Sequence, residues 1–354
     1  MKYRKSIYLA VAAVALSALA ACSNSGEESA KQKQDAPRYE IRFTSNLTKM
    51  DTDATRAPGN YTEYTTGQVF WVWADMYDEY EEPENQITSY FNAWKLTISS
   101  MTSQFSTTAA NPSKSYPAYN TLNFYTLHGN FSEDIVEEAG EETGTEWPTS
   151  LTHTVLTEQL KEEDYQTSDL VFAINRDMMP SPNAVNLEFK HLLSQVEVAL
   201  IPGNGMTADD LTQAKATVKL LDLKTRVQFT PNKAANLSTL ADRVAMLDLE
   251  NASDVADITI STVPTSDVST ATCGAAVVVP QMVNGKFVHI SYLGYNTYVS
   301  VSNLTLKSGY RYRFNITVDR IGGEYSITPV TVEAWGAKTT KQVSLDNLSS
   351  ANPL

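Results

Sequence analysis

Cysteine is scarce in this chain, with only Cys22 and Cys273 among 354 residues. If Cys22 is modified, Cys273 has no partner, so a disulfide framework is excluded and the fold has to rely on its hydrophobic core. Histidine is almost as rare: four residues lie far apart, without an HExxH or His-x-His spacing. This pattern disfavours a histidine metal centre, and we predict no metal site.

Signatures of catalysis are also missing. The sequence has no Gly-x-Ser-x-Gly elbow and no phosphate-cradling glycine-rich loop. Cys273 stands beside the strand-like run Ala275–Val279, where we expect a buried thiol. The acidic tract Glu133–Glu146 is expected to be a solvated loop; calcium binding is its alternative, although the tract lacks an Asp-x-Asp-x-Asp ladder. We therefore predict that the protein is not an enzyme and uses no cofactor.

Positive charge is sparse after Arg56, where 18 basic residues face 35 acidic residues. The formal net charge of the whole chain is -14. Such a surface repels phosphate backbones, so nucleic acid is excluded as an expected partner.

No hydrophobic run is long enough for a comfortable membrane span. The longest, Ile7–Ala21, has about 15 residues, whereas a span needs roughly 20. It follows the positive residues Lys2, Arg4 and Lys5 and ends in Leu19-Ala20-Ala21-Cys22. This pattern predicts a signal peptide over residues 1–21 and a lipobox, in which the Cys22 thiol receives a lipid that holds the protein on a membrane.

Short apolar runs with strand periodicity dominate the rest of the sequence. Val69–Trp73 is a continuous apolar run, as in a strand buried on both faces. Within Tyr310–Val318, one buried face is expected to carry Tyr310, Tyr312, Phe314, Ile316 and Val318. Many such runs, separated by Gly, Pro, Asn and Asp, predict an all-β fold of β-sandwiches with a few short helices in loops.

Helical periodicity is limited to two segments. Leu151–Asp164 would place Leu156 and Leu160 on one face, and Thr239–Leu247 follows Ser238, a candidate N-cap. Neither segment is long enough to build an α/β fold.

A domain boundary is predicted near Pro180–Asn183, because a strand-like segment closes before it and new strands begin at Val185. The sequence then predicts two β domains in tandem, roughly residues 39–182 and 183–354.

Three segments carry a family likeness. They are Asn186–Val198, with the pattern F-x-H-x-x-S-x-V-x-V, then Leu306–Val318 and Ile327–Gly336. In this order, behind a lipobox, they resemble the fimbrillin family of Bacteroidales, the type V pilins, whose major and minor fimbrial subunits are lipoproteins. The resemblance implies two tandem transthyretin-like β-sandwiches, residues 57–182 and 183–336. They would be preceded by a lipidated leader, residues 22–56, and followed by a C-terminal tail, residues 337–354.

The resemblance also implies a mechanism and partners. The precursor is anchored by lipid at the cell outer membrane, and an Arg-specific surface protease removes a leader that includes the first β-strand. The vacated groove accepts a strand from another pilin subunit. Repetition of this donor-strand exchange builds a fimbrium on the cell surface that serves adhesion and biofilm formation.

The N-terminal parts for this mechanism can be located in the sequence. Tyr39, Ile41 and Phe43 alternate along a candidate leader strand and would plug the core of the first domain. The predicted cut lies between Arg56 and Ala57, in a loop of small residues of the kind that proteases favour. The rival sites Arg38 and Arg42 would leave part or all of the strand behind.

The tail offers a candidate donor strand. Val343 and Leu345 alternate as its apolar plugs, and Leu348 is a further contributor. Because the tail is short, a stalk subunit and a tip, accessory or anchor subunit stay open.

A monomeric surface glycan-binding lipoprotein is the alternative function. Such modules are also tandem β-sandwiches behind a lipobox, and their platforms use exposed aromatic side chains. The candidates here are Tyr77, Tyr80, Tyr116 and Tyr119.

The lipobox generates the first prediction. The substitution Cys22→Ala should leave an unlipidated precursor and reduce surface display, because no other residue of the lipobox can carry the lipid. Incorporation of radiolabelled palmitate measures this directly, and equal labelling of the variant and the wild type would refute it.

Overall fold

Short strands make up most of the computed structural model. It describes residues 38–48, 64, 67–78, 81–82, 86–98, 105–107, 112–139, 143–207, 210–211, 216–261, 263–264, 272–292, 295–318, 325–327, 331–334, 340–342 and 349–350. These residues belong to one compact unit, Arg38–Leu354. Several predicted features lie outside the described residues, namely the signal peptide, Cys22, Arg56, Ala57, Val343 and Leu345.

Among the described residues, ten strands precede residue 192. They are β1 (Phe43–Ser45), β2 (Val69–Tyr77), β3 (Ile87–Ile98), β4 (Phe105–Ser106), β5 (Thr121–His128), β6 (Leu151–Thr154), β7 (Glu158–Gln159), β8 (Val171–Met178), β9 (Val185–Leu187) and β10 (Lys190–His191).

Twelve strands follow among the described residues. They are β11 (Ser194–Pro202), β12 (Thr217–Phe229), β13 (Leu247–Ile260), β14 (Val263–Pro264), β15 (Thr272–Val278), β16 (Met282–Tyr292), β17 (Tyr295–Thr305), β18 (Tyr310–Val318), β19 (Tyr325–Ile327), β20 (Thr331–Ala334), β21 (Thr340–Gln342) and β22 (Ser349–Ser350).

The helices are short. Helix α1 is Glu162–Ser168, helix α2 is Leu240–Ala245, and a 3₁₀ turn covers Asn46–Thr48. Helix α2 confirms the predicted helix at this place, but its N-cap is Thr239 rather than Ser238, and the Thr239 side chain accepts a hydrogen bond from the Asp242 N–H. Among the described residues, no helix is long and apolar enough to cross a membrane.

The helix predicted over Leu151–Asp164 is wrong for most of its length. Strand β6 pairs with β12 and strand β7 with β13, so helix α1 begins only at Glu162. Within β6 the side chains alternate between buried and half-buried positions, and Leu160, expected on an apolar face, is 45% exposed. Pairing with distant strands decided the local structure here.

The described strands form four sheets. Strand β1 pairs with β9 alone, and a six-stranded sheet has the order β10-β8-β5-β2-β3-β4. A seven-stranded sheet has the order β14-β15-β11-β18-β20-β21, with β19 beside β18. The second seven-stranded sheet runs β22-β17-β16-β12-β13-β7, with β6 beside β12.

The six-stranded sheet is apolar on both faces. Phe70, Val72 and Phe124 lie in one hydrophobic cluster, whereas Trp73 and Phe172 lie in the other. This arrangement explains the continuous apolar run Val69–Trp73, because a strand that is covered on both sides has no solvent face.

The two seven-stranded sheets share a core. Their side chains belong to one hydrophobic cluster, and the rings of Phe287 on β16 and Phe314 on β18 lie 5.4 Å apart. On β18, the buried positions are Tyr312, Phe314, Ile316 and Val318, as the alternation predicts, while Tyr310 is half-buried. The predicted all-β sandwich fold with few short helices is confirmed. The division into two domains at residues 182 and 183 stays a prediction.

Candidate functional site

Residues 39–47, here called the leader strand, lie in a groove with main-chain partners on both sides. On one side β1 runs parallel to β9, and the Val185 N–H donates to the Arg42 carbonyl at 2.8 Å. On the other side the Ile41 N–H donates to the Lys114 carbonyl at 2.8 Å, and the Tyr116 N–H donates to the Tyr39 carbonyl at 2.9 Å. We call this site the leader groove.

The leader strand completes a hydrophobic core. Ile41, Phe43 and Leu47 are 3–4% exposed and belong to the same cluster as one face of the six-stranded sheet. The Phe43 ring meets Phe124 edge-on at 5.1 Å and lies 5.9 Å from Trp94. Because aromatic pairs at these distances add to area burial, Phe43 is the main anchor of the strand.

A side-chain amide holds the end of the leader strand. The Phe189 N–H donates to Asn46 Oδ1 at 2.9 Å, and Asn46 Nδ2 donates to the Phe189 carbonyl at 3.2 Å. The chain turns here because the Leu47 N–H donates to Ser45 Oγ at 2.9 Å, and Ser45 itself is buried. A single amide therefore satisfies the N–H and the carbonyl of one residue beyond β9.

A buried polar network lies next to the leader groove. The Tyr64 hydroxyl donates to Asp169 Oδ2 at 2.7 Å, and His191 Nδ1 lies 2.7 Å from the same oxygen. A carboxylate oxygen only accepts, so Nδ1 of His191 carries the proton. The Leu170 N–H donates to the other oxygen, Oδ1, at 2.8 Å, and the Tyr64 N–H donates to the Leu47 carbonyl at 3.3 Å.

Electrostatics in this network favour a charged Asp169. Burial alone raises the pKa of Asp169, but the adjacent His191 and the Tyr64 hydroxyl together lower it below the ordinary value. Burial raises the pKa of the Tyr64 phenol well above its usual range, and the Asp169 charge raises it further. Tyr64 therefore acts as a neutral donor to a carboxylate.

Two further buried histidines surround the network. The ring nitrogens of His128 lie 2.7 Å and 2.9 Å from the Val69 and Gln166 carbonyls, which favours the charged ring, but burial lowers its pKa. His153 accepts at Nδ1 from the Asn130 N–H and lies 2.9 Å, through Nε2, from the Ser168 carbonyl. Burial lowers the pKa of His153 to about 4, so its ring is neutral near pH 7.

The tyrosines that the sequence suggested for a glycan platform differ in how exposed they are. Tyr77 and Tyr119 are 36% and 52% exposed, but Tyr116 is 2% exposed and packs near Phe124 in the leader-groove core. Tyr80 lies outside the described residues. Tyr116 is therefore a packing residue and is not available to a surface ligand.

The acidic tract uses two of its carboxylates locally. Glu138 accepts from Lys114 Nζ at 2.7 Å and from the Asn92 N–H at 2.8 Å, and Glu133 accepts from the Thr152 N–H and hydroxyl. In the part of the chain that the structure describes, no group of three or more His, Cys, Asp or Glu residues could hold a metal ion.

Sequence reasoning located Tyr39, Ile41 and Phe43 but missed Asn46 and Leu47. Ile41 and Phe43 are buried and Tyr39 packs against the cluster from a half-buried position. Ser45-Asn46 was the available signal, because Ser and Asn side chains favour turns through hydrogen bonds to the main chain. The partners β9 and residues 114–116 had no sequence signal, since both are distant in the chain.

Comparison with known proteins agrees with this architecture. A model of the fimbrillin-like family matches residues 55–335, which is most of the chain. The chain belongs to the fimbrillin-like family. This is a family of fimbrial and adhesion proteins and not a family of enzymes.

Two crystal structures of proteins assigned to cell adhesion share the fold of this fimbrillin-like protein. The protein from Bacteroides uniformis has a TM-score of 0.53 and 14% identity, covering 84% of this chain and 98% of that chain. The protein from Bacteroides ovatus has a TM-score of 0.54 and 13% identity, covering 85% of this chain and 98% of that chain. No curated protein sequence matches this chain.

The lowered pKa of His153 predicts acid destabilisation. The unfolded chain takes up a proton near pH 6.5, whereas the folded ring stays neutral until about pH 4. The free energy of unfolding should therefore fall as the pH drops through this window, by on the order of 3 kcal/mol. Urea unfolding at pH 7, 5.5 and 4.5 measures the slope.

Substitution tests whether His153 causes this dependence of stability on pH. His153→Gln should be less stable at pH 7 and should show a shallower pH slope than the wild type. The control His289→Gln changes a half-buried histidine that stacks on Tyr298, and should keep the full slope. An unchanged slope in His153→Gln would show that other groups cause the acid sensitivity.

Proposed function

We propose that this fimbrillin-like protein is a structural subunit of a cell-surface fimbrium, exported as a lipoprotein and polymerised by donor-strand exchange after Arg-specific proteolysis. The observation that carries the proposal is the leader groove. Residues 39–47 complete one hydrophobic core of the six-stranded sheet and precede β2, the first strand of that sheet, in the chain.

The burial of apolar side chains stabilises the leader strand in its groove. Burial of Ile41, Phe43 and Leu47 contributes roughly 5–9 kcal/mol at about 1.5–3 kcal/mol each. Removal would expose Trp94, Phe124 and neighbouring rings, and would leave the N–H groups of Val185, Tyr116 and Phe189 without their partners. Such an edge readily accepts another strand.

The described contacts favour Arg56 over its two rivals as the cleavage site. Arg42 lies within the leader strand, where its carbonyl accepts from Val185 and its guanidinium donates to the Pro182 carbonyl. Arg38 precedes the whole strand, so a cut there would leave the plug in place. The next arginine after Arg56 is Arg176, whose guanidinium donates to the carbonyls of Lys233 and Ala235.

The length and attachment of the tail support its proposed role as the donor strand. Its base is held in the same chain, because Thr340–Gln342 pair with β20. The twelve residues after Gln342 can extend about 40 Å, which exceeds the length of the nine-residue leader strand. Near the end only Ser349–Ser350, among the described residues, pair with β17, and a pairing this short is easily released.

In this proposal the mature protein lies in a fimbrium on the cell surface, and its partners are other pilin subunits. The lipid on Cys22 anchors only the precursor, since the cut at Arg56 removes it. Tyr116 is buried and therefore cannot contribute to a glycan-binding platform. No contact in the leader groove favours glycan binding as the alternative function.

The cleavage site can be checked on the surface form. N-terminal sequencing should give Ala57 as the first residue, and Arg56→Ala should leave the leader attached. Arg42→Ala is the matched control and should be processed normally. A surface form that begins at Cys22 with its lipid retained would indicate an anchor or a lipoprotein outside the pilus.

Strand replacement can be checked with two tail variants of the full precursor. Deletion of residues 343–354, which keeps β21, and the double substitution Val343→Asp with Leu345→Asp should each leave the fold intact but stop polymerisation after cleavage. The deletion removes the donor strand, and the double substitution would bury unpaired carboxylates, which costs several kcal/mol. Ser344→Asp, on the opposite side of the extended tail, is the control and should polymerise.

Electron microscopy of the cleaved proteins supplies the readout. Filaments at wild-type yield from both tail variants would show that the tail is not the donor, and would favour a tip or accessory position. A cleaved wild-type protein that stays monomeric would contradict the polymerisation itself.

A further inference from the structure

The Asn46 amide continues the pairing of β1 with β9 by side-chain means. In β1 the register places Phe43 opposite Val185 and Ser45 opposite Leu187. After Ser45 the main chain turns away, and the Asn46 amide forms both hydrogen bonds with the main chain of Phe189 at 2.9 and 3.2 Å. One side chain thus replaces a further residue of the strand.

The apolar residues of the leader strand do not define its register by themselves. Side chains in a strand alternate with a period of two, so a slip of one residue exposes the plugs, but a slip of two keeps them inside. Ile41 and Phe43 are both large and apolar, so such a slip exchanges one plug for the other. The Thr44 and Asn186 side chains are 3.5 Å apart at the rim, which is a weak restraint.

A two-residue slip would break the two hydrogen bonds between the Asn46 amide and the main chain of Phe189. An amide can donate and accept at once, and a displaced strand would present Thr44 or Thr48 there, whose hydroxyls cannot span both main-chain groups. Phe189 is itself 2% exposed, so an unpaired N–H at this position is costly.

We propose that the main chain of Phe189 is the register-setting site of the leader groove and that it takes an asparagine amide from whichever strand occupies the groove. In the precursor this amide belongs to Asn46. In the filament it belongs to Asn347 of a neighbouring copy, a statement that rests on the proposed function.

The sequence of the tail supports this choice of occupant. Asn46-Leu47-Thr48 follows the plugs Ile41 and Phe43, and Asn347-Leu348-Ser349 follows the plugs Val343 and Leu345. Both segments therefore combine two alternating apolar residues with Asn, Leu and a hydroxyl residue.

The two segments differ in spacing, and the difference has a consequence. Three positions separate Phe43 from Asn46, but only two separate Leu345 from Asn347. The tail lacks a counterpart of the buried Ser45, which forms the turn before the amide. The tail therefore fits the leader groove less well than the leader, which keeps the leader in place until it is cut.

Disulfide cross-linking in the full precursor tests the register without polymerisation. In a Cys273→Ser background, Thr44→Cys is combined in turn with Ala184→Cys, Asn186→Cys or Glu188→Cys, all at exposed positions of the chain around β9. The Asn186 pair should dominate, because Thr44 and Asn186 are opposite each other.

Adding Asn46→Ala should raise the ratio of the displaced cross-links to the Asn186 cross-link about tenfold. Glu40→Ala, at another exposed position of the leader strand, is the control and should leave the ratio unchanged. An unchanged ratio with Asn46→Ala overturns the proposal. Loss of all three cross-links also counts against it, because Asn46 would then hold the strand without selecting a register.

Polymerisation of the cleaved full chain tests the proposal that Asn347 of a neighbouring copy binds the main chain of Phe189 in the filament. Asn347→Ala should lower filament yield about tenfold, and the control Ser349→Ala should not. Insertion of one serine between Asp346 and Asn347, which gives the tail the spacing of the leader, should raise the assembly rate. Assembly of Asn347→Ala at the wild-type yield would overturn the proposed role of Asn347. A wild-type protein that fails to polymerise contradicts the proposed function, while the cross-linking result still decides the role of Phe189.

Discussion

The six-stranded sheet is apolar on both faces, and both faces have to be covered. One face is covered from within the later part of the chain, where the rings of Phe172 and Phe229 lie 6.2 Å apart. The other face is completed by the leader strand, whose Phe43 ring meets Phe124. The first cover includes Phe229 on β12, a strand of a seven-stranded sheet, whereas the second is one short segment that precedes the six-stranded sheet in the chain. The proposed exchange therefore concerns that segment alone and not the strands of the sheet.

Among the described residues, side-chain amides complete main-chain pairing at three places. Gln159 binds the N–H and the carbonyl of Val277 at 2.8 and 2.9 Å, and Gln281 does the same for Lys224 at 3.0 and 3.2 Å. Asn46 is the third case, and it differs because it belongs to residues 39–47, the segment that the proposed cleavage would remove. Under that proposal, the main chain of Phe189 would lose its amide partner, whereas Val277 and Lys224 would keep theirs.

The sequence predicted those features that depend on neighbouring residues. Alternation identified β18 and the buried side chains Ile41 and Phe43, because a two-residue period reports directly on which face is covered. It failed at Leu151–Asp164, where pairing with β12 and β13 outweighs local periodicity. The parallel pairing of β1 with β9 joins residues about 140 positions apart, so no local pattern could reveal it.

Tyr64 lies beyond the proposed cut at Arg56 and has anchors that do not involve the leader strand. Its hydroxyl donates to Asp169 and its ring lies 5.0 Å from His128. Under the proposed cleavage the Tyr64 N–H would lose the Leu47 carbonyl, but these two contacts would remain. In the proposed mechanism, the uncut leader is covalently linked to the groove, which gives it an effective concentration on the order of millimolar. A neighbouring tail with smaller plugs would compete poorly under that condition. Cleavage would remove the link, so that the leader could dissociate and the exchange would proceed in one direction.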